Sequence, residues 1–149
     1  KKHKNSPILQ MRLPSGRSLW YSNPKVEWRK APWAEEREDG EYSGDELVRS
    51  MSFWAAEPGR PMVKFWAYGG LFFQNSVQAI ARDIIADALP RLDEAGYPVV
   101  MLVHDEIVAE VVKGRANIEE FNDLVAQPVP YLPGLPIATG GFIAQRYRK

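Results

Sequence analysis

The stretch MLVHDEIVAEV, residues 101–111, is the most informative part of the sequence. The polar residues His104, Asp105 and Glu106 interrupt a run of residues that favour β-strands. The flanking apolar residues favour burial in a sheet, whereas carboxylates buried without partners are strongly destabilising. We therefore expect a β-hairpin over residues 98–112 whose tip presents Asp105 and Glu106 to solvent, metal or substrate.

Composition limits the classes of protein that fit. A chain of 149 residues with 45% hydrophobic residues and five Trp is long enough for one folded domain with its own core. The absence of Cys excludes disulfides and thiolate metal sites. A net charge of +0 means that any nucleic-acid role depends on local basic patches. The sequence contains no apolar run long enough to span a membrane and no signal-peptide pattern, so we expect no membrane partner.

The first half of the chain indicates mostly extended structure. Residues 1–7 are basic and polar, and we expect them to form a flexible lead-in. Residues 8–21 predict a hairpin, because a Pro-Ser-Gly turn signal separates two apolar segments. Residues 22–46 carry prolines and a charged run and predict an irregular, exposed connection, and residues 47–68 predict extended segments.

A long helix is predicted after Gly69 and Gly70, because apolar residues recur at steps of three and four. Pro90 is expected to bend or end this helix, and Gly96 to close its last turn. The apolar stripe that we expect to be buried consists of Phe73, Val77, Ile80, Ala81, Ile84, Ile85 and Ala88.

The last part of the chain predicts a short helix and a final strand. Asn117 and Glu120 have the spacing of a capping box, which predicts a helix to about Val125. Residues 137–149 are expected to form the final strand. The order of elements favours an α+β fold in which an antiparallel sheet is packed by helices.

Two motifs together resemble a known family. The segment YGGLFFQNSVQAIARDII, residues 68–85, and the segment VHDEIV, residues 103–108, resemble the C-terminal part of family A (polymerase I-like) DNA polymerases, in particular phage and prophage members. The segment MRLPSGR, residues 11–17, fits the same group. The resemblance covers residues 8–149 and implies a partial palm domain.

The resemblance implies roles for the hairpin residues. His104-Asp105-Glu106 matches motif C, in which the aspartate is one of two carboxylates that bind a pair of Mg²⁺ ions. Two cations about 4 Å apart require anionic ligands and stabilise both the attacking and the leaving oxygen of nucleotidyl transfer. On this basis Asp105 is a metal ligand, Glu106 a secondary metal or water contact, and His104 a hydrogen-bonding residue at the primer terminus.

The resemblance also implies contacts with DNA. Gln78 matches a helix glutamine that contacts the minor groove near the growing primer end, where acceptors are shared among base pairs. Further candidates for DNA binding are Gln74, Arg82, Arg146 and Arg148. The alternatives are a solvated helix face for the glutamines, a structural ion pair for Arg82 and a solubilising end for the basic tail. Phe72, Phe73 and the tryptophans Trp28, Trp33, Trp54 and Trp66 are assigned to packing.

The chain departs from the family in ways that limit its expected activity. The second catalytic aspartate of motif A and the fingers lysine and arginine of motif B have no match, and Gly70 stands where better-known members have Arg. We therefore expect an inactive part of a polymerase.

Its expected partners are primer–template DNA, dNTP and a polymerase part carrying motifs A and B. Self-association of the isolated piece is another expectation, and the expected location is the cytoplasm of a bacterial or phage-infected cell.

Two other functions are compatible with the sequence. A non-catalytic primer–template DNA-binding module would keep the fold without the chemistry. A small metal-dependent hydrolase using His104, Asp105 and Glu106 is disfavoured, because adjacent residues on a strand alternate between its two faces unless a turn gathers them.

Overall fold

The computed structural model describes residues 6–31, 47–56, 59 and 61–147. It confirms the α+β class with antiparallel sheets. The elements in chain order are β1 (Ile8–Arg12), β2 (Ser18–Lys30), β3 (Leu47–Ala55), β4 (Val63–Ala67), α1 (Gly69–Glu94), β5 (Val99–Val103), β6 (Glu106–Ala109) and α2 (Ile118–Val125). The chain divides into two compact units, residues 1–77 and 78–149.

The strands form two separate sheets. In the first unit, β1 to β4 make a four-stranded antiparallel sheet in chain order, and in the second unit β5 and β6 make a two-stranded hairpin. Register in the larger sheet is fixed by pairs such as Gln10 with Trp20 and Phe53 with Phe65. The predicted hairpin over 8–21 is confirmed by these pairings, and the extended structure predicted within 47–68 is confirmed for Leu47–Ala55 and Val63–Ala67.

The core of the first unit lies on one face of the four-stranded sheet. Tyr21 and Phe53 are buried there, with ring centroids 5.0 Å apart in an edge-to-face arrangement. Phe72, at the start of α1, packs edge-to-face on Tyr21 at 4.9 Å. Such aromatic pairs contribute roughly 0.5–1.5 kcal/mol beyond area burial. The packing role predicted for Phe72 is therefore confirmed, whereas Phe73 is 72% exposed and that prediction is wrong.

The irregular connection predicted over residues 22–46 is wrong for residues 22–30, which belong to β2. Asn23 has a φ of +49°, and the register with β3 shifts between Ser22 and Lys25. This irregularity places Pro24, which lacks an N–H, where the ladder needs no donor from it. Residues 32–46 of the predicted connection lie outside the described residues.

Helix α1 continues through Pro90 and ends at Glu94. Of the two expectations for Pro90, an end of the helix is wrong, and a bend stays a prediction. Pro90 removes only one donor from the helix ladder, and the chain remains helical around it. The predicted closing glycine is confirmed: Gly96 has a φ of +82°. Gly96 N–H donates to Asp93 and Tyr97 N–H donates to Leu92, which is the Schellman pattern of a helix C-terminus.

The buried line of α1 differs from the predicted apolar stripe. Its buried residues are Ala79, Asp83, Ala88 and Leu92. Of the predicted stripe only Ala88 is buried, and Val77 is 48% exposed. Apolar periodicity thus identified the helix correctly but not the face that its partners cover. Among the described residues, none of the helices has the length and apolar character needed to cross a membrane.

The Asn117 half of the predicted capping box is confirmed, because the Asn117 side chain accepts from the N–H groups of Glu119 and Glu120 at 3.1 and 3.3 Å. The carboxylate of Glu120 accepts a hydrogen bond from the hydroxyl of Tyr97. The predicted final strand is wrong for residues 137–147, which have no regular secondary structure, and residues 148 and 149 of the prediction lie outside the described residues. This segment has four prolines just before it, and its residues from 138 onward are exposed.

Candidate functional site

The candidate site lies at the tip of the β5–β6 hairpin in the second unit. Val103 pairs with Glu106, so only His104 and Asp105 form the connection. Two-residue hairpin turns of the primed types require a positive φ at their first central residue, and His104 has a φ of +54°. The hairpin predicted from the sequence is therefore confirmed, with a tip one residue shifted: Glu106 belongs to β6 and not to the turn.

The polar side chains of the tip face solvent. His104, Asp105 and Glu106 are all exposed, while Leu102, Val103, Ile107 and Val108 are partly buried. The apolar residues of the two strands are thus partly covered, whereas the polar residues at the tip remain accessible to solvent.

Glu106 has a partner in the C-terminal segment. The hydroxyl of Tyr147 donates a hydrogen bond to Oε2 of Glu106 at 3.0 Å. The hydrogen bond to this carboxylate raises the pKa of Tyr147, with smaller contributions from burial and from the charge of Glu106. One oxygen of Glu106 is therefore already engaged within the chain.

The described residues supply only part of a metal site. Among them, no group of three or more His, Asp or Glu side chains is placed to hold a metal ion. Asp105 and Glu106 are adjacent carboxylates, the ligand type that Mg²⁺ prefers, but two carboxylates do not complete its coordination shell. A cation bound at this tip would need further ligands from outside the described residues.

The helix residues predicted to contact DNA lie in an exposed row. Gln74, Gln78 and Arg82 follow one another at steps of four along α1, and all three are exposed. Side chains at this spacing lie on one face of a helix. Arg146 in the C-terminal segment is exposed as well, and Arg148 lies outside the described residues.

Sequence reasoning missed two features of the second unit. Tyr147 lies between Arg146 and Arg148 in the basic tail, and no pattern in the sequence connects it with Glu106. Tyr131 was not singled out, although burial and then the carboxylate of Asp87 raise its pKa to about 12. Both contacts join residues more than 40 positions apart, which only the folded chain reveals.

Comparison with known proteins places these features in context. No protein-family model matches the chain, and no solved structure matches it. The chain is 36% identical over 144 residues to a DNA polymerase of Bacillus phage SP02. The match covers 97% of this chain but only 20% of the phage protein, so the chain spans about a fifth of that relative's length. The resemblance to a DNA polymerase is thereby confirmed, and its assignment to family A stays a prediction. Over nearly its whole length, this chain is similar to one segment of a phage DNA polymerase.

Proposed function

We propose that the chain is the motif C-bearing palm portion of a family A DNA polymerase. One observation carries the proposal: a chain similar to a phage DNA polymerase presents an exposed Asp105 on a two-residue hairpin turn. A tight turn with few alternative conformations holds a carboxylate in a defined place, and metal-dependent phosphoryl transfer depends on such placement. The reaction is the transfer of a nucleotide from dNTP to a primer 3′-hydroxyl.

Asp105 is the proposed metal ligand of this chain. Its carboxylate is exposed, and it precedes a second carboxylate, Glu106. When bound, divalent cations such as Mg²⁺ favour deprotonation of the primer hydroxyl and neutralise charge on the phosphates. Glu106 has one oxygen hydrogen-bonded to Tyr147, which suits a secondary contact to metal or water better than a primary one.

The neighbouring residues are proposed to position the nucleic acid. The exposed imidazole of His104, at the first position of the turn, is proposed to hydrogen-bond the primer terminus. Gln78 is proposed to contact minor-groove acceptors with its amide, a contact that tests base-pair shape without reading sequence. Arg82 lies four residues further along the same helix, where a guanidinium suits a phosphate.

The proposed polymerase requires a second part. In this proposal the motif A aspartate and the motif B lysine belong to another part of the polymerase, which agrees with the lack of a metal-binding group among the described residues. Primer–template DNA, dNTP and a polypeptide with those motifs are the proposed partners. A non-catalytic DNA-binding module is the second candidate, because Glu106 is engaged within the chain and the described residues assemble no metal-binding group.

The test is templated primer extension with Mg²⁺. The chain is assayed alone and with the polypeptide encoded immediately upstream, each as wild type, Asp105→Asn and Asp93→Asn. Asp93 is an exposed carboxylate on α1 and serves as the matched control. Broadening of amide NMR signals by Mn²⁺, a paramagnetic substitute for Mg²⁺, provides a second measurement on the chain itself.

Extension in the mixture, abolished by Asp105→Asn and preserved by Asp93→Asn, is the expected result. Mn²⁺ should broaden the signals of residues 104–106 in the wild type and much less in Asp105→Asn. Extension that survives Asp105→Asn would exclude this residue as the ligand. Primer–template binding without extension, in a mixture that contains the missing motifs, would favour the binding module.

A further inference from the structure

The four-stranded sheet of the first unit has a second face, opposite its aromatic core. Side chains alternate along a strand, and cross-strand pairs share a face. Trp54 pairs with Ser22 on β2 and with Lys64 on β4, and Ser52 pairs with Trp66. These residues all lie on the face away from Phe53, which we call the outer face.

Three tryptophans form an oblique row across the outer face. Trp54 on β3 pairs directly with Ser22 on β2 and with Lys64 on β4. Trp20 on β2 and Trp66 on β4 each lie two residues from those partners, so both are diagonal neighbours of Trp54. Diagonal neighbours in a sheet lie roughly 7–8 Å apart, within reach of aromatic side chains. Trp20 is 62% exposed, Trp54 39% and Trp66 37%. The packing role predicted for Trp54 and Trp66 therefore holds only in part.

Cations surround this row. Cζ of Arg29 and Nζ of Lys64 lie 5.2 and 4.4 Å from the centroid of the Trp66 ring. Arg12 and Lys25 belong to the outer face by their pairing with Ser18 and Ser52. The described residues of this face thus carry four cations and one carboxylate, Glu27.

The negative charge of Glu27 is compensated within the sheet, mainly by Lys64. Its carboxylate accepts hydrogen bonds from Lys64 and from Ser52 Oγ, and these bonds, that from Lys64 first, hold its pKa below the usual value. Lys25 has a smaller charge interaction with the same carboxylate. Arg12 and Arg29 have no acidic partner among the outer-face residues that the structure describes, so the cations of this face outnumber its carboxylate. The face is therefore basic as well as aromatic, although the chain has no net charge.

We infer that the outer face binds single-stranded DNA. Trp20 and Trp54 supply rings on which successive bases stack, and Arg12, Lys25 and Arg29 contact the phosphates. Single-stranded nucleic acids are bound by aromatic side chains beside positive charge, and four-stranded sheets present such rings to two or three bases. A duplex hides its base faces and would leave the tryptophans unused. The choice of DNA over RNA rests on the proposed polymerase function.

The experiment is fluorescence anisotropy of labelled dT12 with the purified chain, in EDTA and without dNTP. Trp20→Ala should weaken binding by at least about fivefold, the lower end of what one stacked base contributes. Trp28→Ala is the matched control, since Trp28 is 65% exposed but pairs with Arg49 on the opposite face. Lys25→Ala should reduce the slope of log affinity against log salt concentration by about 0.7. Circular dichroism melts establish that each variant is folded.

Asp105→Asn should leave dT12 binding unchanged, so a failure of the polymerase proposal and a failure of this one give different results. Equal effects of Trp20→Ala and Trp28→Ala would overturn the inference, as would wild-type binding that is absent at low salt. Tighter binding of an RNA oligonucleotide of the same length would overturn the assignment to DNA. Loss of dT12 binding in Asp105→Asn would assign the binding to the hairpin and not to the sheet.

Discussion

The hydroxyl of Tyr147 donates to the carboxylate of Glu106 across 41 positions of sequence, at 3.0 Å. This contact attaches the C-terminal segment to the hairpin that carries the candidate site. Since Glu106 is the residue after Asp105, the contact also orients the strand that leaves the turn. A segment without regular structure therefore holds one of the two carboxylates of the candidate site.

The first prediction concerns the titration of Tyr147. Glu106→Gln should lower the pKa of Tyr147 toward its usual value, because the charged acceptor that stabilises the neutral phenol is removed. The phenol signal is followed by absorbance or NMR between about pH 8 and 12, around the ordinary tyrosine pKa, with Tyr147→Phe used to assign it. Glu110→Gln, at the other end of the hairpin, is the control and should leave the pKa of Tyr147 unchanged. An unchanged titration in Glu106→Gln would mean that the contact does not persist in solution.

A second prediction concerns Gln78 in the reconstituted polymerase. Gln78→Ala should reduce extension from a matched primer end by about fivefold, the worth of one hydrogen bond of ~1 kcal/mol. Extension from a mismatched end should fall less, because the altered geometry already weakens the minor-groove contact. Glu94→Ala, another exposed polar residue of α1, should affect neither rate. Equal reductions of the extension rate from matched and mismatched primers would favour the alternative that Gln78 is only an exposed polar residue on the solvated face of α1.

The third prediction is a loss of stability at alkaline pH that depends on Tyr131. Burial and the nearby carboxylate of Asp87 raise the pKa of Tyr131 to about 12 in the folded chain, whereas an unfolded tyrosine titrates near 10. Between these values the unfolded chain loses its proton first, so the free energy of unfolding should be unaffected below pH 10 and fall as pH rises toward 12. Urea unfolding at a series of pH values measures this slope. The slope should be shallower in Tyr131→Phe, and an equally steep slope there would assign the effect to other groups.

The fourth prediction concerns the cap of α2. Asn117→Ala should reduce the free energy of unfolding by about 1 kcal/mol, because the N–H groups of Glu119 and Glu120 lose their side-chain acceptor. Asp123→Ala, at an exposed position of the same helix, should change it by no more than a few tenths of that amount. Chemical denaturation of the three proteins measures the difference. If the two variants are equally stable, Asn117 does not act as a cap in solution.

Local chemistry explains what could be predicted from the sequence. Asn117 and Gly96 mark helix ends by short-range hydrogen bonding, and the alternation around His104-Asp105-Glu106 predicts a hairpin from neighbouring residues alone. The elements at these positions were therefore predicted correctly. The exposure of the hairpin tip follows from the cost of burying unpaired carboxylates, which is also a local property.

Long-range packing explains what could not be predicted. Strand β2 continues past Pro24 because β3 pairs with it on both sides of the register shift between Ser22 and Lys25. The exposed positions of Phe73 and Val77 depend on which surfaces are present to cover α1, and apolar periodicity carries no information about that. The partner of Glu106 is likewise separated from it by most of the second unit.

The two-residue turn at His104 and Asp105 ties the register of the hairpin to the position of the candidate site. Strand side chains alternate with a period of two, so an insertion that shifted the register by one residue would turn every side chain of β6 to the opposite face. Glu106 would leave Tyr147, and Ile107 would exchange its partly buried place for solvent. Homologous proteins that preserve this chemistry should therefore tolerate substitution at many positions of the hairpin while admitting no change in the spacing between its strands.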